Sequence, residues 1–288
     1  MEKILDCSSI DTALSSFEKV LQAPKEIFLQ RLEGCRDQVD DSSFEAEDEL
    51  LEVFFPDRSA LSPFDSIAWF HLTRVSDPEC FLRKGILPTD QIVGQIWSTA
   101  QEILREKGHS IVIEDLRKNL YKSKVDGSSI NTYFRKLNKD MTGPYALLIR
   151  ETALYGDFCN HYLKCPEIIV DICRVINELC FVDIENDFKK LTHPYIVKFK
   201  SKPGKDSWKE VGTALLYVYK YATGDVDVSS DHSFVEKGAV IEPRKILSIE
   251  SVGIPVTECN DKELLPDKEI SFHIHDHQGK LIFGTGQY

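Results

Sequence analysis

The 288-residue chain lacks the short motifs that mark the commonest nucleotide-using and hydrolytic enzymes. It has no Walker loop, no G-x-G-x-x-G, no H-E-x-x-H and no G-x-S-x-G. The usual fingerprints of NTPases, dinucleotide reductases, zincins and serine hydrolases are therefore missing. Long apolar runs are missing too. Stretches such as Ala214 to Val218 fall far short of the roughly 18 residues a membrane span needs. Positive charge is in deficit: 35 Lys and Arg face 47 Asp and Glu, a net charge of −12. Such a field repels phosphate backbones and anionic lipid, so bulk nucleic-acid binding is disfavoured. Met1-Glu2-Lys3-Ile4-Leu5-Asp6 lacks a basic stretch leading into an apolar one, so no export signal is expected and a cytoplasmic location is. The eight cysteines form no C-x-x-C pair, which favours reduced thiols over disulfides or a zinc ribbon. Cys159, His161, Cys165 and Cys173 cluster in sequence, but an apolar helical stretch follows and the reading is core packing.

What is present suffices for a sizeable core: 42% of the residues are hydrophobic. Residues 10 to 34 carry apolar side chains at helical spacing, with Pro24 as a break and Gly34 as a stop. An acidic, serine-capped segment from Asp40 leads into a short helix through Val53. The texture changes at Ile67-Ala68-Trp69-Phe70-His71-Leu72, a compact apolar run that predicts a buried strand. Asp77-Pro78 then opens a short helix that closes at Gly85. Helices are predicted at 90–107, 112–121 and 129–138, and strands at 145–149, 195–200, 238–241, 246–250, 269–275 and 280–284. Trp208 to Tyr221 is ambiguous, because Tyr217, Tyr219 and Tyr221 alternate as in a strand; the reading is helix through about 219. Strands scattered among helices predict an α+β fold rather than a doubly wound parallel sheet. The organisation expected is a helical N-terminal extension over 1–63 and a core over 64–288.

Chemistry concentrates in Phe70-His71-Leu72-Thr73-Arg74, followed by a short helix and Gly85-Ile86-Leu87-Pro88. This order resembles the first motif of the ADP-ribosyltransferase superfamily, in its histidine-containing branch of polymerases and toxins. The resemblance implies a split antiparallel β-sandwich with NAD in the cleft between its sheets. It implies that His71 grips a ribose by donating to a hydroxyl, that Thr73 orients it, and that Arg74 faces a phosphate. Leu72 stands where polymerase-like members carry glycine. Tyr155 and Tyr162 are the aromatic residues that would stack on nicotinamide. Glu236 fits best, and Glu242 second, as the carboxylate beside the oxocarbenium-like centre, where negative charge meets developing positive charge. NAD is then the substrate, and the acceptor of ADP-ribose is a macromolecule or water, as in a toxin or defence protein. No metal is expected. His273, His275 and His277 alternate as on one strand face, but Asp276 to Lys280 reads as a hairpin turn that splays His277 away. The competing class is a non-enzymatic acidic interaction protein that binds a basic partner, such as an inhibitor, immunity factor or inactive relative.

Overall fold

Two residues near the start of the chain, β1 (Ile4–Leu5), enter a sheet whose centre is β2 (Ser66–Val75). The computed structural model describes residues 2–39, 45–120, 129–138, 143–155, 160–205, 207–224, 232–235, 238–253, 272–275 and 281–284. Of these, Met1–Val252 belong to one unit and Gly253–Tyr288 to a second. In the first unit β3 (Tyr145–Leu147), β4 (His193–Ser201), β5 (Ser233–Val235) and β6 (Ile246–Ser251) complete an open sheet in the order β5-β3-β2-β4-β6. All these pairings are antiparallel except that of β1, which runs parallel to the first residues of β2. β4 covers β2 from Ile67 opposite Ser201 to Val75 opposite His193, and fixes the side-chain alternation along the whole strand.

Twelve α-helices occur among the described residues, so the chain is mixed α+β. On one face of the sheet lie α1 (Ile10–Leu21), α2 (Lys25–Glu33) and α3 (Ala46–Phe54). Ser9 starts α1 through a reciprocal cap: its hydroxyl accepts from the Thr12 N–H, and the Thr12 hydroxyl accepts from the Ser9 N–H. Pro24 begins α2 after a left-handed Gln22, which is the break its sequence predicts. Phe17, Phe28 and Phe54 from these helices join Ile67 and Trp69 of β2 and Phe199 of β4 in one core. Residues 1–63 therefore help to build the sheet's own core.

After β2 come α4 (Cys80–Lys84), α5 (Thr89–Glu106), α6 (Ile113–Leu120) and α7 (Ser129–Lys136), then β3, α8 (Arg150–Tyr155), α9 (Asn160–Lys164), α10 (Glu167–Cys180) and α11 (Glu185–Leu191). The amphipathic faces of α5, α6, α7, α10 and α11 close on one another in a second core. Trp97 of α5 anchors it, its indole N–H donating to the Tyr133 hydroxyl at 3.0 Å. The ambiguous run is helical: α12 (Ser207–Thr223) is buried almost all round and packs on α1 to α3. Gly212 admits this close approach, since a Cβ there would lie 3.1 Å from the Glu47 side chain. The expected strand over 238–241 reduces to a single bridge between Ile241 and Ile86. In the second unit, β7 (Phe272–His275) and β8 (Leu281–Gly284) pair antiparallel. Among the described residues, no helix is long and apolar enough to cross a membrane.

Candidate functional site

At the C-terminal end of β2 a cavity of about 140 Å³ opens to solvent where the two cores meet. Its polar wall comes from His71, Thr73 and Arg74, and its apolar wall from Ile96, Ile168 and Phe188. Ligand pockets for whole drug-sized molecules are typically about 300–1,000 Å³, so this cavity has room for a single ring-sized group.

Strand alternation explains why His71 and Thr73 share a wall: they continue the face that carries Ile67 and Trp69 into the core. His71 is partly buried, and its Nδ1 lies 2.7 Å from the carbonyl oxygen of Tyr145 on the neighbouring strand. A carbonyl only accepts, so Nδ1 carries the proton and Nε2 of the neutral ring is an acceptor. Burial lowers the pKa of His71, and the bond to Tyr145 offsets this in part. The neutral ring thus presents an acceptor, Nε2, rather than a donor.

A depressed folded-state pKa has a consequence for stability. The neutral ring contributes stability that is complete above the unfolded value, about pH 6.5, and is lost as the pH falls through the folded pKa. Urea unfolding at about pH 7.5 and about pH 5.5 is expected to show a larger acid loss for the wild type than for His71→Asn, which does not titrate. Equal losses in the two proteins would remove His71 as the source.

Arg74 has a different task from the one expected. It is buried, and four of its five N–H groups are engaged. Nη1 donates to the Leu163 carbonyl at 2.8 Å; Nη2 donates to the carbonyls of Lys189 at 2.8 Å and Thr192 at 2.7 Å; Nε donates to the Thr192 hydroxyl at 3.3 Å. Leu163 and Lys189 belong to the last turns of α9 and α11, so one guanidinium caps two helix C-termini and complements their dipoles. Although it lines the cavity, one N–H at most is left for a phosphate.

The other expected residues fall elsewhere. Tyr155 is exposed at the end of α8, and Tyr162 packs its ring 5.5 Å from that of Tyr145. Tyr145 alternates with Ala146, a core residue on the His71 side, and so projects from the opposite face of the sheet. Neither Tyr155 nor Tyr162 lines the cavity. Glu242 is exposed and accepts from Arg244 Nε at 2.5 Å. Glu236 lies outside the described residues, as do Cys159 and His277.

The short helix begins at Cys80 with Glu79 as its N-cap, and Asp77 shapes the turn before it, its carboxylate accepting from the Glu79 N–H at 3.0 Å while its second oxygen pairs with Arg83. Gly85 closes the helix with φ +74° and ψ −162°. Ile86 and Ile241 then exchange two backbone hydrogen bonds of 2.9 Å, which hold the Gly85-Ile86 turn against the late segment. Cys80 also lines the cavity, but burial and the charge of Asp77 raise its pKa and keep it a thiol. Cys165 and Cys173 are core thiols, and burial pushes the first up to about 12. Among the described residues, no group of three or more His, Cys, Asp or Glu side chains is placed to hold a metal ion.

Several groups at the site escaped the sequence reading. The Tyr145 carbonyl is a backbone atom and carries no residue signature. Ile96 and Ile168 read as ordinary helical core positions. Lys84 and Gln95 also line the cavity, and only Lys84 had a signal, its place just before Gly85. No family model matches the chain, and no curated protein or solved structure matches it.

Proposed function

We propose that this chain is an NAD-dependent ADP-ribosyltransferase-like enzyme, which breaks the nicotinamide glycosidic bond and passes ADP-ribose to a macromolecular acceptor or to water. The observation that carries the reading is the double role of Tyr145. Its carbonyl holds the His71 ring at 2.7 Å, and its backbone pairs with Val235, the residue before Glu236. Two stretches of sequence more than 160 residues apart, each resembling a motif of the superfamily, thus meet at one residue. On this reading the open sheet is one layer of a split antiparallel β-sandwich. His71 Nε2 takes a ribose hydroxyl, and Glu236 sets its charge beside the oxocarbenium-like centre. The six described free thiols fit a reducing compartment such as the cytoplasm, and the activity would suit a toxin or defence protein.

The test is nicotinamide release from NAD by the wild type, His71→Ala and Glu236→Ala, with the fold of each checked by circular dichroism. Losses of about 100-fold or more are expected in folded variants. No release by the wild type, whatever acceptor is supplied, would abandon the enzyme reading.

A second reading has its own observation. Phe181, at the end of α10, is 90% exposed and held at φ 57°, a conformation that bulky residues rarely adopt. An exposed aromatic on a chain of net charge −12 suits a non-enzymatic protein that docks on a basic partner. Absence of NAD turnover would favour it.

A further inference from the structure

The cavity beside His71 has a second polar end that the nucleotide reading does not use. Lys84, Ser76 and Gln95 line it, from α4, the end of β2 and α5. Among the described residues, none of these three side chains has a hydrogen-bond or ion-pair partner. The one carboxylate among the lining residues, Asp77, is already paired with Arg83. Arg74 lies behind, its guanidinium charge bonded to the neutral carbonyls of Leu163, Lys189 and Thr192. In a chain of net charge −12, the cavity is therefore locally positive. An anion that enters meets one ammonium and two neutral donors, none of which must first give up an existing bond.

Below this mouth the walls are apolar. Ile92 and Ile96 of α5, Ile168 and Ile169 of α10 and Phe188 of α11 face the space. At about 140 Å³ it matches the size of cavity that holds one benzene-sized ring. A ring there removes apolar surface from water, while an anionic substituent at the mouth reaches Lys84.

We infer that this cavity is a binding site for small organic anions, in which a carboxylate or phosphate is held at the mouth by Lys84, Ser76 and Gln95 over a ring-sized apolar group. The inference does not depend on NAD being the ligand. It assigns Lys84 the choice between anionic and neutral ligands, and Ile96 the choice between ligands with and without a ring.

Isothermal titration calorimetry on the full chain tests it with four probes: phenyl phosphate, benzoate, benzyl alcohol and inorganic phosphate. At least one of the two aromatic anions is expected to bind about tenfold or more tightly than benzyl alcohol, and their ranking separates a phosphate site from a carboxylate site. Lys84→Gln is expected to erase that preference. Ile96→Trp, which fills the floor, is expected to weaken the aromatic anions and leave inorganic phosphate unchanged. Equal binding of benzyl alcohol and the aromatic anions, no effect of Lys84→Gln, or no binding of any probe to the wild type would each overturn the inference. Nicotinamide release is scored separately. Anion binding without NAD turnover would remove the transferase reading alone, and NAD turnover without anion binding would remove this one alone.

Discussion

Replacing Arg74 with methionine is expected to lower the free energy of unfolding by about 3–5 kcal/mol. Methionine keeps much of the volume and removes every donor. The carbonyls of Leu163, Lys189 and Thr192 would then be left where water cannot easily replace the guanidinium. Lysine is a sharper test than methionine. Its ammonium keeps the charge but cannot span three carbonyls in a plane, so Arg74→Lys is expected to recover about half of the loss or less. Urea midpoints for the three proteins, at unchanged slope, give the comparison. If Arg74→Lys is as stable as the wild type, charge alone suffices and the planar double cap is not what holds α9 and α11 to the strand.

Gly85→Ala is expected to have the second large effect, and for two separable reasons. At φ +74° and ψ −162° the backbone occupies a region essentially closed to residues with a Cβ, at a cost of about 1–3 kcal/mol. A Cβ built there would also lie 1.8 Å from the Ile241 carbonyl oxygen, which is backbone and cannot swing aside. Relief requires the two strands of chain to part, which breaks both hydrogen bonds between Ile86 and Ile241. Amide hydrogen exchange should therefore report lost protection at Ile86 and Ile241, with β2 and β4 still protected. Retained protection at both amides would mean that the turn adapts without opening. If the transferase reading holds, nicotinamide release should fall with it, because the segment that follows Glu236 is anchored at this bridge.

How far the sequence foretold these features depends on whether a side chain or a backbone atom does the work. The strand at 67–72 was legible because an unbroken apolar run bounded by polar residues has few other uses. Thr73 and Arg74 read as the polar end of that strand, and only the pairing with β4 shows that it runs on to Val75. The alternating tyrosines of α12 made that run ambiguous for the opposite reason: a helix buried on nearly every side has no polar face, so its period is blurred. β1 and β5, of two and three residues, are too short to leave a pattern. At the site, His71 and Thr73 were identifiable from alternation and motif. Tyr162 was not excludable, because only the register of β3 shows that its neighbour Tyr145 projects from the far face. Arg74 read as a ligand contact because a strand-end arginine is indistinguishable in sequence from one that caps helices brought in from residues 163 and 189.

The pairing of β2 with β4 also sets a timetable. The Trp69 indole N–H donates a hydrogen bond to the hydroxyl of Ser201, 132 residues further along the chain. A ribosome adding about 5–20 residues per second needs on the order of 10 s to cover that stretch. Throughout that interval the ten-residue β2 has emerged without its long antiparallel neighbour, and only the two residues of β1 precede it as a strand partner. The nascent chain is therefore at its stickiest midway through synthesis. Its yield in a cell should depend on whatever shields residues 66–75 during that wait as much as on the stability of the finished fold.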